Sequence, residues 1–236
     1  MISTATVPPR LAAEPGGPAF LHLEPSVLGR AVTTLPDEAS FIRSWDRLPL
    51  DCFSHDNGTY RRRRYSQFRI VDTELVSQPH RAFFQSTEVN SANGGVHRLF
   101  EPVEPEVRRS RTLRTAVLHL LDLLPSEYGR ELTGIGVHQI RIVAAEGAPG
   151  LPTPEGIHQD GHYFVGQVLI HRGAVSGGES TLYDLERRPI FRTTLRSRWE
   201  SIIIDDRRVF HSVDGIRVLA DSDTTRDMLL IDFNPA

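Results

Sequence analysis

The 236-residue sequence contains 27 arginines and no lysine. No lysine is therefore available for Schiff-base or pyridoxal-phosphate chemistry. The only cysteine is Cys52. A single cysteine excludes an intramolecular disulfide and indicates a reducing compartment such as the cytoplasm.

Long apolar runs and a strong net charge are also missing. No stretch approaches the ~18–20 apolar residues of a membrane-spanning helix, and residues 1–18 lack the basic and apolar parts of a signal peptide. The formal net charge of -3 gives no electrostatic reason to expect nucleic acid or an anionic membrane as a partner. These absences favour a cytoplasmic, enzyme-sized globular protein, and no feature indicates its oligomeric state.

Helical patterns come first and strand patterns follow, which predicts an α+β, mainly β fold. Residues 1–18, rich in Ala, Pro and Gly, are expected to be a flexible lead-in, and residues 19–236 a single domain. Residues 20–48 are expected to be mostly helical, and residues 112–124 to form one amphipathic helix. Short strands predict a sandwich or barrel beyond residue 134; they are expected at residues 135–143, 163–171, 179–184, 201–204, 209–213 and 228–233.

Two side chains that bind metals lie two positions apart at His158 and Asp160. On an extended strand both would leave the same face. An imidazole and a carboxylate supply two of the three ligands that hold non-haem Fe(II) and leave coordination positions open, and His211 offers the third. The alternative is a solvated turn, because Gly156 and Gly161 flank the motif.

Arg226 follows His211 and is expected to return to the same cavity at the start of the last strand. An arginine fork at that position suits the distal carboxylate of a keto-diacid co-substrate. Iron with three protein ligands has three vacant positions, which accept two oxygens of 2-oxoglutarate and O2. The order His-X-Asp, His, Arg therefore predicts an Fe(II)/2-oxoglutarate oxygenase.

Four segments carry a family resemblance: residues 48–51 (LPLD), 61–66 (RRRRYS), 153–161 (TPEGIHQDG) and 177–184 (GGESTLYD). Over roughly residues 45–236 the chain resembles the Fe(II)/2-oxoglutarate dioxygenases, specifically the bacterial family that contains isoleucine 4-dioxygenase. The resemblance implies a double-stranded β-helix, a cupin-like jelly-roll with supporting N-terminal helices. It also implies a free aliphatic amino acid, a small molecule, as the substrate. The implied site has iron on His158, Asp160 and His211, with 2-oxoglutarate held by Arg226.

A free amino acid needs a cation for its carboxylate and an acceptor for its ammonium group. The four arginines at residues 61–64 alternate on a predicted strand, so one pair is expected to face the interior; the alternative is a solvated or nucleic-acid-binding face. The candidates for the cation are Arg141 and one of residues 62–64, with Arg62 and Arg64 preferred. Gln139, on the same face as Arg141, and His162, next to the metal motif, complete the predicted substrate-binding set.

The main hypothesis is hydroxylation of an aliphatic C–H bond in a free L-amino acid or a close derivative. This reaction is coupled to oxidative decarboxylation of 2-oxoglutarate to succinate and CO2. The alternatives are an oxygenase that acts on a carrier-tethered or peptide substrate, and a cupin-like protein that binds a metal or ligand without turnover. Arg226 argues against the last, because a metal binder has no need of a keto-acid anchor. Residues 88–100 are expected to form a loop near the site, and His119, His138 and His171 to be ordinary helix and strand residues.

Overall fold

The computed structural model describes residues 10–12, 16–53, 58–87, 94–128, 131–220 and 223–235. Most helices precede most strands over these ranges, which confirms the predicted order. The helices are α1 (Pro25–Val32), α2 (Glu38–Arg43), α3 (Pro105–Arg108) and α4 (Arg111–Leu121), and short 3-10 helices cover Ser44–Arg47 and Ser126–Tyr128. The strands are β1 (Phe20–Leu23), β2 (Arg61–Val71), β3 (Glu74–Ser77), β4 (Gly134–Val143), β5 (Phe164–Arg172), β6 (Val175–Gly177), β7 (Ser180–Tyr183), β8 (Pro189–Thr193), β9 (Ser201–Asp205), β10 (Phe210–Val213), β11 (Ile216–Val218) and β12 (Thr225–Asn234).

The largest sheet has β12 at its centre. Its strand order is β1-β9-β5-β12-β4-β2-β3, and the neighbouring strands are antiparallel. A three-stranded sheet, β10-β7-β8, and a two-stranded sheet, β11-β6, complete the β-structure of the described residues. Residues of the large sheet and of β10 line the same cavity. This antiparallel jelly-roll confirms the expected double-stranded β-helix.

The central strands divide their side chains between this cavity and the helices. Because successive side chains of a strand point to opposite faces, the even-numbered residues of β12 from Arg226 to Asp232 line the cavity. Its odd-numbered residues from Leu229 to Phe233 join the main hydrophobic core. The same alternation brings Arg61 and Arg63 of β2, and His138, Ile140 and Ile142 of β4, to the cavity.

Helix α4 packs against the core side of the large sheet and confirms the helix predicted for residues 112–124, although the helix already ends at Leu121. The Ser110 hydroxyl caps it by accepting a hydrogen bond from the N–H of Leu113 at 3.2 Å, which satisfies one of the free donors of the first turn. Its buried apolar residues follow the helical repeat and join the main core. No helix of the described residues is long and apolar enough to cross a membrane.

The N-terminal part differs from the expectation in one respect. Residues 20–48 are not helical from the start, because β1 (Phe20–Leu23) pairs with β9 at the edge of the large sheet. The predicted lead-in of residues 1–18 falls mainly outside the described residues and stays a prediction. Within it, Leu11 is buried and donates its N–H to the carbonyl of Leu123 at 2.9 Å.

Candidate metal centre

His158 and His211 face each other across a short β-bridge. The backbone N–H of each donates to the carbonyl of the other, at 3.0 and 2.9 Å. The two imidazole rings therefore lie side by side, with their centroids 4.3 Å apart. His211 belongs to β10, which pairs with β7, so the jelly-roll brings the distant histidine to the motif.

Asp160 approaches the two imidazoles from a loop. Apart from the bridge at His158, residues 156–161 form no strand, and Gly161 has a φ of 82°, a left-handed conformation that favours glycine. The expectation that His158 and Asp160 share one face of an extended strand is therefore wrong. The carboxylate oxygens of Asp160 nevertheless lie 3.5 Å from Nε2 of His158 and 3.5 Å from Nε2 of His211.

The side chain of Asp206 holds this loop in place. Its carboxylate accepts hydrogen bonds from the backbone N–H groups of Asp160 at 3.0 Å, Gly161 at 2.7 Å and His162 at 3.0 Å. Burial, with the nearby carboxylate of Asp160, raises the pKa of Asp206 to about 6. Asp206 directly follows β9, so a strand of the large sheet positions the loop that bears Asp160.

The three side chains form a compact set of candidate metal ligands. One ligand atom from each lies within 4.8 Å of the others. Burial, with His158 next to it, lowers the pKa of His211 to about 4, so this imidazole is neutral and offers its lone pair. Burial also acts to lower the pKa of His158, but the carboxylates of Asp160 and Glu155 outweigh it and raise the pKa to about 9. A metal ion at this position would compete with that proton.

Arg226 lies buried in the same cavity and has no ion-pair partner among the described residues. Arg226 is 2% exposed, and no described residue accepts a hydrogen bond from its buried Nε. Burial, with the charge of Arg172, lowers its pKa to about 10, which leaves it charged at neutral pH. An unpaired buried cation is costly unless an anion meets it, so the geometry calls for an anionic ligand.

Gly178, before β7, makes room for the Arg226 side chain. Its φ is 71°, and a Cβ added there would lie 3.4 Å from Cδ of Arg226 and 3.1 Å from Nη1 of Arg172. A larger residue would therefore be strained and would press on both arginines. Gly178, in the 177–184 segment, thus makes space for the side chain of Arg226.

The sequence matches a known family over most of its length. A sequence model described as 2OG-Fe dioxygenase matches residues 42–232, a span that contains the three candidate metal ligands and Arg226. The chain belongs to the 2OG-Fe dioxygenase family. It is 24% identical to L-isoleucine-4-hydroxylase of Bacillus thuringiensis over 197 residues, which cover 78% of this chain and 80% of that protein.

Two solved structures are similar to this member of the 2OG-Fe dioxygenase family. A bsmA homolog from Methylobium petroleophilum PM1 is 30% identical, with a TM-score of 0.81 over 92% of this chain and 89% of that chain. IDO from Bacillus thuringiensis is 18% identical, with a TM-score of 0.74 over 92% of this chain and 94% of that chain. At this low identity the second likeness concerns the fold alone.

The 2OG-Fe dioxygenase family uses Fe(II), 2-oxoglutarate and O2, and the residues of this chain fit those groups. Two imidazoles and one carboxylate form the donor set that suits non-haem Fe(II). The buried guanidinium of Arg226, whose Nε has no hydrogen-bond partner among the described residues, fits the carboxylate of an organic acid.

The structure corrects the predicted roles of Arg62 and Arg64. Their guanidinium groups donate to backbone carbonyl groups outside the cavity, at 3.4 and 2.9 Å, whereas Arg61 and Arg63 line it. Because side chains alternate along a strand, either the odd-numbered or the even-numbered residues face a given side, but not both. The preference for Arg62 and Arg64 is therefore wrong, although Arg63 belongs to the wider set of residues 62–64.

Gln139 and Arg141 also lie outside the cavity, because the even-numbered residues of β4 line it. Gln139 donates to the hydroxyl of Ser44 at 2.7 Å. Arg141 donates through Nε and Nη2 to both oxygens of Asp227, at 2.7 and 2.8 Å, and through Nη2 to Asp46 at 2.9 Å. Arg141 is thus an internal ion-pair partner, and its predicted role in substrate binding is wrong.

We expect Arg141→Leu to lower stability and leave the KM for substrate unchanged. The substitution leaves the carboxylate of Asp227, a residue 2% exposed, without its partner, which costs about 3 kcal/mol, or roughly 6 °C or more in Tm for a domain of this size. Thermal unfolding and steady-state kinetics measure the two effects. The double variant Arg141→Leu/Asp227→Leu should regain part of the loss, because it removes the uncompensated charge. A raised substrate KM at unchanged Tm would contradict this assignment.

His162, predicted to lie near the substrate, lines the cavity, and its Nε2 lies 3.3 Å from the carboxylate of Asp232. His138, expected to be an ordinary strand residue, also lines the cavity and contacts the same carboxylate. The charged cavity residues that the sequence did not indicate are Arg61, Arg98, Glu155 and Asp232. Arg98 belongs to the predicted loop of residues 88–100, of which residues 88–93 lie outside the described residues.

Proposed function

We propose that this 2OG-Fe dioxygenase hydroxylates an aliphatic C–H bond of a free L-amino acid or a close derivative. The reaction would consume 2-oxoglutarate and O2 and release succinate and CO2. The observation that carries the proposal is that one cavity holds two histidines and a carboxylate arranged as candidate metal ligands, and a buried arginine with no ion-pair partner among the described residues. The named relative, L-isoleucine-4-hydroxylase, supports a free amino acid as the substrate class.

The proposed ligands of Fe(II) are His158, Asp160 and His211. When bound, the iron and 2-oxoglutarate supply the oxidising chemistry, and the protein contributes position and surroundings. These three side chains would hold the ion and leave its other coordination positions free for the co-substrate and O2. The β-bridge between the two histidines and the hydrogen bonds from the loop to Asp206 fix the ligands before any metal arrives.

The proposed anchor of 2-oxoglutarate is Arg226. Its planar fork of donors matches a carboxylate through two parallel hydrogen bonds. Its position on β12, between β4 and β5, gives the fork a rigid base. Next to it on the cavity face, Met228 and Leu230 join Ile140 and Ile142 in an apolar wall. This wall excludes water from the reacting groups.

The test is a screen of free L-amino acids with Fe(II), ascorbate, 2-oxoglutarate and ¹⁸O2, read by mass spectrometry. At least one amino acid should gain one labelled oxygen, and succinate should carry the other. The matched control is the same reaction with His211→Ala, which should give neither product. If every free amino acid gave only basal succinate formation while a carrier-tethered or peptide substrate was hydroxylated, the protein would instead be an oxygenase of tethered or peptide substrates. Metal binding without any succinate would indicate a protein that binds without turnover.

A further inference from the structure

After Arg226 has been assigned to 2-oxoglutarate, two more buried arginines of the cavity have no anionic partner among the described residues. Arg63, on β2, is 9% exposed, and Arg98, which precedes α3, is 3% exposed. Neither forms an ion pair with a described residue, and the Nε of each is buried without a hydrogen-bond partner. Both line the same cavity as the metal-binding side chains.

The guanidinium of Arg63 is held by neutral groups. Its Nη2 donates to Nδ1 of His138 at 2.6 Å, and Nε2 of His138 donates to Asp232 at 2.7 Å. Burial, with the charge of Arg63 also acting against protonation, lowers the pKa of His138 to about 4, so His138 accepts this hydrogen bond as a neutral ring. The ring of Phe100 lies 4.4 Å from Cζ of Arg63. The cation is therefore held in one orientation with a donor still unused.

Arg98 is held in the same way from another segment. Its Nη2 donates to Oε1 of Gln85, and its Cζ lies 4.9 Å from the centre of the Phe83 ring. Gln85 in turn donates to the carbonyl of Asp160 at 2.8 Å, which ties Arg98 to the loop of the metal centre. A fixed, desolvated cation with an unused donor is a pre-organised site for an anion.

The other charged groups of the cavity have partners. Arg61 pairs with Asp51 at 2.6 Å, Asp232 contacts His138 and His162, and Asp160 is assigned to the metal. The remaining carboxylate is Glu155, whose Oε1 lies 3.5 Å from Nε2 of His158 and whose Oε2 is buried without a partner among the described residues. Two cations and one carboxylate oxygen thus remain to be matched by the substrate.

We propose that the primary substrate is an α-amino acid with two carboxylates, which bind Arg63 and Arg98, while its ammonium group binds Glu155. The inference rests on the proposed function and narrows its substrate class. An amino acid with one carboxylate would leave one buried cation unpaired. A substrate tethered through its carboxylate, as a thioester or amide, would carry one negative charge less and would leave a further buried arginine unpaired. Such an arrangement is unfavourable, because a buried charge is tolerated only when it is paired.

The test compares each acidic amino acid with its own amide, which has nearly the same shape and one charge less. Full-length protein, loaded with Fe(II) and saturating 2-oxoglutarate without O2, is titrated calorimetrically with L-aspartate, L-asparagine, L-glutamate and L-glutamine. At least one acid should bind tenfold or more tightly than its amide. The visible band of iron-bound 2-oxoglutarate should persist throughout.

Variants assign this preference to the two arginines. Arg63→Gln and Arg98→Gln should each reduce the acid-to-amide affinity ratio by tenfold or more, with the dissociation constant of 2-oxoglutarate unchanged. Arg62→Gln is the matched control on the opposite face of β2 and should keep the ratio of the parent protein. If Arg63→Gln does not fold, the inference is still tested by the acid-to-amide affinity ratio of the parent protein and by its change in Arg98→Gln.

Equal affinities for acid and amide in both pairs would overturn the inference, and so would the absence of binding by all four compounds. Displacement of 2-oxoglutarate by the acid, seen as loss of the band, would also overturn it. A lower Tm of either variant with an unchanged affinity ratio would show that the arginines act only in folding. If 2-oxoglutarate itself gives no band, the proposed function fails and the inference with it. A normal band with equal affinities removes the inference alone.

Discussion

Asp160→Ala should abolish both iron binding and turnover, and His158→Ala and His211→Ala should each do the same. Each substitution removes one of three protein ligands from an ion that has no other protein ligand assigned to it. Asp160 is also the only anionic member of the set, so its loss removes the charge that balances the metal. None of the three changes disturbs the main hydrophobic core, which lies on the opposite face of the large sheet.

The measurement is the visible absorption of the protein with Fe(II) and 2-oxoglutarate in the absence of O2. Chelation of the iron by the keto acid should give a weak charge-transfer band in the parent protein and none in the three variants. His171→Ala is a suitable control, because His171 pairs with Asp223 at a partly exposed position on β5, outside the cavity lining. A variant of the three that kept both the band and normal turnover would disprove the ligand assignment.

Arg226→Lys should raise the KM for 2-oxoglutarate by tenfold or more. The substitution keeps the charge but loses the planar pair of donors, at a cost of about 1.5–3 kcal/mol of charged hydrogen bonding. Stability should change little, because no described residue depends on the guanidinium for a hydrogen bond. The dissociation constant measured from the visible band should rise by the same factor as KM, since the lost contact acts on binding.

Arg217→Lys is the matched control for Arg226→Lys. Arg217 lies on β11, is exposed, and does not line the cavity, so its replacement should leave the KM for 2-oxoglutarate unchanged. An unaltered KM in Arg226→Lys would show that another arginine of the cavity holds the co-substrate. Arg63 or Arg98 would then be occupied by 2-oxoglutarate, and the acid-to-amide preference would be lost from the substrate.

The elements that could be predicted from the sequence have a strong local pattern. α4 shows a regular apolar stripe with a serine cap, and β4, β5, β9 and β12 are apolar or alternating runs, so each was found to within a few residues. The candidate metal centre was found for a different reason. Its residue types are rare in this order, and the chemistry of Fe(II) restricts which side chains can accompany one another.

The residues on the substrate side of the cavity could not be predicted in the same way, because they depend on whether the odd-numbered or the even-numbered residues of each strand face inward. Arg61 and Arg63 are indistinguishable from Arg62 and Arg64 in a run of four identical residues. Their orientation is set by the pairing of β2 with β4, a contact between segments far apart in the chain. Arg98 and Asp206 are positioned by loops that have no periodic pattern, and the short strands β6, β8 and β11 were missed for the same reason.

The alternation along β12 has a consequence for how this protein can diverge. One extra residue inserted between Arg226 and Asp232 would turn every following side chain to the other face, which would bring Asp232 into the core and Phe233 into the cavity. Pairing with β4 and β5 would be shifted at the same time. Evolutionary change on this strand is therefore confined to replacement of one residue by another, and insertions and deletions are tolerated in the connecting segments.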